Sequence, residues 1–313
     1  MKFKSIMSRI IISVVPIIAI SIALFVVIIS GLIWSQINAQ INDKMEEHLK
    51  KSELAIYNEF SMNSGIAHSL AVYAETCSAA AIEGGEMKDF LMKVITTNKN
   101  TFGGGIWYEP YFYPGKEFFG PYVHVDGGAV IYEADYAGSV NYHKEEWYEN
   151  GRLSKGETIW SSVYYDPVTE TTMITATVPF FDGEGKFQGV ATTDMSLTDI
   201  RNIVRNISLG STGKAFILGK SGEYIAFYDD TRKIDDKITA ERDANLAAFG
   251  RRALETGEGI DTIDSDAGLV RAFYMTLPET GWVLVIMMDD GEISAIIRDL
   301  VLMASSRQPR PPS

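Results

Sequence analysis

The chain has 313 residues, a formal net charge of −13 and a single cysteine, Cys77. The negative charge argues against a nucleic-acid-binding protein, because such domains use a basic surface to attract phosphate groups. One cysteine excludes a disulfide within the chain, and the alanines around Cys77 predict a buried, unreactive thiol.

An apolar run without a charged residue occupies residues 10–34. As a helix it is long enough to cross a hydrocarbon core of about 30 Å. Lys2, Lys4 and Arg9 precede it, so the positive-inside rule places residues 1–9 in the cytoplasm and most of the chain outside the inner (plasma) membrane. A cleaved signal peptide has the same charge order, but its apolar region is only about 7–15 residues long. We therefore expect a retained single-pass anchor.

Residues 35–81 are predicted to form a long stalk helix that continues out of the membrane. Apolar residues recur there at helical spacing: Ile37, Ile41, Met45 and Leu49. Several shorter helices are the alternative. The apolar stripe is expected to pair with a partner helix.

Short β-rich runs separated by turns follow a second predicted helix over residues 87–98. The first set covers residues 103–108, 130–132, 158–161, 173–178 and 188–193, and the second covers residues 213–218, 224–227, 259–263, 270–275 and 281–286. Each set is followed or interrupted by a predicted helix, with Thr198 and Thr239 as candidate N-caps. Residues 182–186 and 264–268 are predicted to be hairpin turns. The pattern predicts an α+β fold in which one long helix carries two sheet-and-helix modules.

The two modules are predicted to comprise residues 82–206 and 207–292. Residues 293–313 read as the truncated start of a second transmembrane region followed by an irregular tail rich in proline and arginine. We therefore expect an output module to be missing.

The sequence gives no support for catalysis. The four histidines form no zinc motif, and residues 210–214 lack the first glycine of a phosphate-binding loop, so they are predicted to be a turn before a strand. No spacing singles out a catalytic pair of carboxylates. We expect no enzymatic activity, no metal and no cofactor.

One segment is similar to a known family. It contains Trp147-Tyr148, then Trp160-Ser161 and Tyr165-Asp166, then a Pro179-Phe180 pair before the 182–186 turn, and finally Thr193-Asp194-Met195. These motifs resemble the double Cache sensor domain of bacterial chemoreceptors, sensor kinases and diguanylate cyclases. The resemblance implies two PAS-like antiparallel-sheet modules on the long helix, with a small ligand bound in the membrane-distal module, residues 82–206. It also implies a homodimer formed through the stalk helix.

The resemblance also points to ligand-binding residues. The amino-acid-binding members carry Arg-x-Trp-Tyr, whose Arg takes the ligand carboxylate, and a later Tyr and an Asp that take its ammonium group. Trp147, Tyr148, Tyr164 and Asp194 match that pattern, but Glu145 stands where the Arg is expected.

Glutamate at this position repels a carboxylate by about 4 kcal/mol at about 4 Å and an effective dielectric near 20. The sequence therefore favours a cationic ligand without a free carboxylate: an amine, a polyamine or a quaternary ammonium compound. An amino acid remains the alternative, with Lys144 as the carboxylate contact, and so does a tethered solute-binding module without signalling. Glu145 as a solvated loop residue is the bland alternative.

Asp166 completes the predicted site, although it is equally suited to capping a turn. The aromatic-rich segment 107–113 is expected to fill the core.

Overall fold

The computed structural model describes residues 6–83, 85–113, 115–134, 136, 141–207 and 210–295. The predictions for the end of the chain, from residue 296 onward, and for residues 1–5 lie outside the described residues.

Helix α1 runs without interruption from Ile6 to Thr76. Its large apolar side chains between Val14 and Trp34 are exposed, as expected of a segment that faces lipid rather than a protein core. This helix is long and apolar enough to span a membrane. The predicted anchor and stalk are thus one continuous helix, which ends five residues earlier than the expected residue 81.

Two short helices, α2 (Ala79–Glu83) and α3 (Glu86–Ile95), lead into the first sheet. Its strands are β1 (Gly103–Tyr108), β2 (Tyr122–Asp126), β3 (Ala129–Glu133), β4 (Ile159–Trp160), β5 (Tyr164–Asp166), β6 (Thr171–Phe181) and β7 (Phe187–Ser196). They pair antiparallel in the order β3-β2-β1-β7-β6-β4, and β5 also pairs with β6. Helix α4 (Glu146–Leu153) lies between β3 and β4 in the chain.

Helix α5 (Leu197–Arg205) connects the two sheets. The second sheet contains β8 (Lys214–Leu218), β9 (Tyr224–Phe227), β10 (Gly259–Ser265), β11 (Gly268–Thr276) and β12 (Val283–Asp289), in the antiparallel order β10-β11-β12-β8-β9. A 3-10 turn (Ile238–Ala240) and helix α6 (Ala244–Thr256) separate β9 from β10. The predicted α+β fold, two antiparallel sheets on one long helix, is confirmed.

Helix α1 packs on both sheets with one continuous face. Its lower part shares a core with the second sheet through Ile41, Met45, Leu49, Ile56 and Phe60. Its upper part packs on the first sheet through Ile66, Ala67, Leu70, Ala71 and Ala74. The predicted pairing of the stripe from Ile37 to Leu49 with a second chain needs correction, because Ile41, Met45 and Leu49 are already buried within the same chain and Ile37 is half-buried against them.

Phe60 lies where the two sheets meet. Its ring is 4.7 Å from that of Trp160 in the first sheet and 6.1 Å from that of Trp282 just before β12, both edge-on. The side chain is 1% exposed. One residue of α1 thus joins the cores of both sheets.

Several local predictions need correction. The N-cap of α5 is Ser196, not Thr198, because the Ser196 hydroxyl accepts the Asp199 N–H. The N-cap of α6 is Asp243, which accepts the N–H groups of Asn245 and Leu246, while Thr239 lies in the preceding 3-10 turn. Cys77 is half-buried in the break after α1, where it packs against the edge of the first-sheet core and is not fully buried.

Candidate functional site

The two faces of the first sheet have different tasks. Ile106, Val178, Phe180 and Ala191 point to one face and pack against α1. Asp194 of β7 pairs in register with Thr175 of β6 and Gly103 of β1, and residues in direct register share a face. Because side chains alternate along each strand, Asp194 points to the face opposite α1. The helix holds one side of the sheet, which leaves the other side for a site.

Asp194 is the centre of a buried hydrogen-bond network. The Tyr122 hydroxyl donates to its Oδ2 at 2.8 Å, and the Thr175 hydroxyl donates to its Oδ1 at 2.7 Å. Since the single hydroxyl proton of Thr175 is used in that bond, the Tyr164 hydroxyl, 2.8 Å away, donates to Thr175. The four side chains form one chain of hydrogen bonds that ends on a carboxylate.

The environment of Asp194 disfavours its charge. The residue is 3% exposed. The pKa of Asp194 is raised to about 6, chiefly by burial; the hydroxyls of Thr175 and Tyr122 oppose the shift, and the negative charge of Asp166 adds a smaller upward contribution. Among the described residues, the carboxylate is therefore held by two neutral donors and by no cation.

Asp166, at the end of β5, is also buried and bonded. The Tyr136 hydroxyl donates to its Oδ1, and the backbone N–H of Thr169 donates to its Oδ2 at 2.8 Å. The residue thus caps a turn, as the alternative interpretation expected. Through its Oδ1 atom it also contacts Tyr136, a member of an aromatic cluster on the first sheet.

Glu145 immediately precedes α4 and is half-buried. It holds the N-cap position without using its side chain to cap the helix. Burial and the nearby charge of Asp166 raise the pKa of Glu145. This places the Glu145 and Asp166 carboxylates close enough to repel each other.

Tyr164 connects the three carboxylates. The pKa of its hydroxyl is raised well above the usual value. Burial is the largest cause, the negative charge of Asp194 is the next upward contribution, and the charges of Asp166 and Glu145 contribute less. These four predicted site residues are therefore brought together. Within the described ranges, no salt bridge joins any of the three carboxylates to a lysine, arginine or histidine.

An aromatic cluster adjoins these groups. Trp107 lies at its centre, with ring centroids 5.0 Å from Tyr136, 5.0 Å from Trp147 and 5.7 Å from Tyr122. Its indole N–H donates to the Thr192 hydroxyl at 2.8 Å. The predicted residue Trp147 thus belongs to the aromatic cluster beside the site. Trp107 was expected only to fill the core, but it lies at the centre of this cluster and also donates a hydrogen bond.

Tyr148 points elsewhere. Its hydroxyl donates to Glu109 at 2.7 Å, and its ring packs on Tyr142 and His143. It is buried in the same aromatic cluster, but its polar end is used away from the three carboxylates. The structure brings five of the six predicted residues to one region, and Tyr148 supports them from the side.

The sequence analysis missed Tyr122, Thr175 and Tyr136, which supply or receive the polar contacts of the site. Alternation along a strand gives a signal for Thr175, because it faces Asp194 across the hairpin. Gly103 is a second missed feature: an added Cβ there would lie 2.2 Å from the Tyr122 hydroxyl oxygen. The glycine leaves the space in which Tyr122 reaches Asp194.

Comparisons with known proteins give a consistent family. Residues 87–202 match the model of the first PDC sensor domain of methyl-accepting chemotaxis protein-like receptors. The chain is 24% identical to chemotaxis protein TlpA of Bacillus subtilis over 228 residues, 72% of this chain and 30% of TlpA. It is also 24% identical to McpC of the same organism over 161 residues, 51% of this chain and 22% of McpC. The chain thus matches less than a third of the length of these curated relatives.

Solved structures with the same fold are extracellular sensor domains. The extracellular domain of the histidine kinase soHK1S-Z6 aligns with 84% of this chain and 98% of its own, at 21% identity and a TM-score of 0.66. The ligand-binding domain of Mlp24 with asparagine aligns with 85% of this chain and 99% of its own, at 17% identity and a TM-score of 0.53. The Campylobacter jejuni Tlp3 domain with 4-methylisoleucine aligns with 85% of this chain and 92% of its own, at 11% identity and a TM-score of 0.58.

Proposed function

We propose that the first sheet senses a small cationic ligand, since residues 87–202 match the model of a chemoreceptor-type PDC sensor domain and the fold is similar to that of extracellular sensor domains. The ligand class is an amine, a polyamine or a quaternary ammonium compound. The binding side chains are Glu145, Trp147, Tyr164, Asp166 and Asp194, with Tyr148 behind them.

One observation carries this proposal: three carboxylates act on the same tyrosine, Tyr164, and among the described residues none has a cationic partner. Buried negative charge is costly unless it is paired. A ligand cation would supply the missing charge and lower the free energy of the site. The rings of Trp107, Tyr136 and Trp147 offer π faces to the same cation.

Glu145 makes the difference between an amine and an amino acid. An arginine would present a two-pronged donor to a ligand carboxylate, whereas a glutamate repels it. The Glu145 side chain is half-buried, which weakens solvent screening of this repulsion. The observed position of Glu145 next to Asp166 supports a site that rejects carboxylates.

An amino-acid ligand is the second candidate, since Mlp24 and Tlp3 have been solved with asparagine and 4-methylisoleucine. It requires another group to take the carboxylate. Lys144 precedes Glu145 at the end of a 3-10 turn and its side chain is exposed, so it is the nearest candidate along the chain.

A matched ligand set separates the two candidates. Leucine, isoamylamine and isocaproate share a 3-methylbutyl group. Leucine carries both an ammonium group and a carboxylate, isoamylamine carries only the ammonium group, and isocaproate carries only the carboxylate. We would titrate each, together with putrescine and choline, into the chain in lipid nanodiscs by calorimetry. We expect saturable binding of one or more of the amines and none of isocaproate.

Variants test the residues. Asp194→Asn should weaken amine binding by about a hundredfold, near 2.7 kcal/mol, because it removes the charge but keeps the size of the side chain. Glu184→Gln, in the exposed 182–186 turn, is the matched control and should bind as the wild type. Tight leucine binding with no amine binding would show that the second candidate is correct.

The remaining parts of the proposal concern the membrane. We infer that α1 anchors the receptor in the plasma membrane, with the sheets outside the cytoplasm, as Lys2, Lys4 and Arg9 indicate. Accessibility labelling of single cysteines placed before and after the apolar part of α1, residues 10–34, in intact cells tests this orientation. We also propose that such a receptor signals through a separate output module, since the matched relatives are longer chemotaxis proteins.

We also propose a homodimer, formed by the face of α1 opposite its buried stripe. Leu54, Tyr57, Met62 and Val72 are exposed there. Leu54 and Val72 lie almost diametrically opposite the side chains that pack on the sheets. Cross-linking through a cysteine at Leu54 is expected, while one at Glu184 should give none.

A further inference from the structure

A cleft of about 1190 Å³ opens on the second sheet, apart from the Asp194 site. The chain between β9 and α6 forms one wall and the sheet forms the other. The floor is apolar and aromatic, made of Phe216, Phe227, Tyr228, Val270 and Met287. Ligand sites of soluble domains are typically concave and apolar with a few fixed polar groups. In this cleft the charged residues would be those groups.

Arg232 is held in one orientation in the cleft. Its Nε and Nη2 atoms donate to the two carboxylate oxygens of Glu241 at 2.7 and 3.1 Å. The Tyr224 hydroxyl donates to Glu241 at 2.9 Å, and the guanidinium lies over the rings of Tyr224 and Phe227 at 5.8 and 5.5 Å. Within the described part of the chain, Nη1 has no acceptor, so Arg232 retains donors for a ligand.

Lys214 lies over the neighbouring ring. Its Nζ is 4.4 Å from the ring centroid of Tyr228, which lies 4.1 Å from the ring of Phe227. No carboxylate of the described residues lies within salt-bridge distance of this amine. Two cations thus stand over two adjacent aromatic rings.

Both cations also act on one carboxylate. Burial tends to raise the pKa of Asp229, but hydrogen bonds from Thr231 and then the charges of Lys214 and Arg232 lower it overall. Asp229 uses Oδ1 to hold Thr231, which keeps it in its own turn. Lys214 and Arg232 therefore both lie near Asp229 and over neighbouring rings.

We propose that this cleft is a second ligand site and binds a small aromatic monocarboxylate. The carboxylate lies between Arg232 Nη1 and Lys214 Nζ, and the ring of the ligand lies on Phe227, Tyr228 and Met287. Exposed carboxylates at the rim disfavour dianions such as phosphate or dicarboxylates: Asp235, Asp236, Asp266 and Asp289. The site is independent of the cationic site proposed for the first sheet.

Benzoate, benzamide and benzylamine test the charge requirement with one ring size. They would be titrated by calorimetry into the full chain in nanodiscs. Benzoate should bind saturably at millimolar concentrations or below, and benzamide and benzylamine at least about tenfold more weakly, because only benzoate satisfies both cations. Absence of saturable benzoate binding, or tighter binding of benzylamine, would overturn the assignment.

Two variants locate the binding. Lys214→Gln changes an exposed side chain and should weaken benzoate binding about fivefold to tenfold. The double change Arg232→Gln/Glu241→Gln replaces the ion pair by an amide pair, so no charge is left unpaired, and should weaken it by about tenfold or more. A thermal melt confirms that each variant is folded.

Asp194→Asn serves as the control in the other sheet. Benzoate should bind it as it binds the wild type, while amine binding is weakened by about a hundredfold. If neither Lys214→Gln nor the double variant weakens benzoate binding, the ligand lies elsewhere and the proposal is wrong. Failure of amine binding alone would affect only the first-sheet proposal.

Discussion

The two sheets are built alike but carry different charged groups at the two places where we propose ligand sites. The first sheet gathers Glu145, Asp166 and Asp194 around hydroxyl groups, without a described cationic partner. The second places Lys214 and Arg232 over aromatic rings in an open cleft. The same antiparallel architecture therefore sets the location of a site, and the few charged side chains on its free face set the chemistry.

The sheets also differ in how they hold those charges. Asp194 is deeply buried and, among the described residues, hydrogen-bonded to neutral donors alone, so its charged form is disfavoured. Arg232 already has Glu241 as a partner and keeps a spare donor. A cationic ligand should therefore stabilise the charge of Asp194, which has no described cationic partner, more than an anionic ligand stabilises that of Arg232, which is already paired with Glu241.

The largest expected effect comes from removing the Phe60 side chain, because it contacts the cores of both sheets. Phe60→Ala should lower the free energy of unfolding by about 3–5 kcal/mol, since it leaves a cavity between Trp160 and Trp282. Denaturant unfolding followed by tryptophan fluorescence measures it. Leu153→Ala, at an exposed position of α4, is the control and should change stability by less than about 1 kcal/mol. Two separate transitions, only one of them shifted, would show that Phe60 does not couple the sheets.

The second effect is the pH dependence of the first site. The pKa of Asp194 in the folded chain is about 6, against an ordinary value of 3.8. The folded state therefore binds this proton more tightly than the unfolded state does. The contribution of Asp194 to stability is present below about pH 4, falls as the pH rises to about 6, and totals about 3 kcal/mol.

Denaturant melts between pH 4 and 7.5 test this contribution, with Asp194→Asn as the comparison. The difference between wild type and variant should shift in favour of the wild type as the pH falls. Amine binding should weaken over the same range, because the proton competes with the ligand cation. A difference that does not vary with pH would contradict the assignment to Asp194.

A third experiment tries to reverse the preference of the first site. Glu145→Arg should weaken amine binding by about tenfold to a hundredfold, since a carboxylate becomes a competing cation. It should also allow leucine to bind, because its carboxylate gains a two-pronged donor. Calorimetry with leucine and isoamylamine measures both. Glu157→Arg, an exposed change of the same charge, should alter neither affinity.

The smallest expected effect concerns Tyr148. Tyr148→Phe removes the hydrogen bond to Glu109 and should lower stability by about 1 kcal/mol, while amine affinity changes less than about threefold. Thermal melts and calorimetry distinguish the two effects. A large loss of binding would mean that the Tyr148 hydroxyl contacts the ligand directly.

Local patterns in the sequence determined much of the architecture. The uncharged apolar run and the helical spacing after it predicted α1, and the turn residues 182–186 and 264–268 predicted two hairpins that the structure contains. These features depend on neighbours in the chain, so they can be inferred without tertiary contacts. The strands β2 and β5 were missed because they are short and irregular in pattern.

Only the tertiary structure decided how these elements are used. The stripe from Ile37 to Leu49 was recognised as apolar, but its partner turned out to be the second sheet of the same chain, since an apolar face does not specify what covers it. Motif matching selected Asp194, Tyr164 and Glu145 separately. Their common charge environment, and the role of Gly103 in admitting Tyr122, arise from strands distant in sequence.

The sequence by itself therefore determined the α+β fold and a helix long and apolar enough to span a membrane, and it supplied a prediction of the residues of one site. The tertiary structure decided the balance of charge in each sheet, because electrostatic interactions depend on distance and burial, which sequence spacing does not fix. It also revealed the cleft with Lys214 and Arg232, which no sequence motif marks.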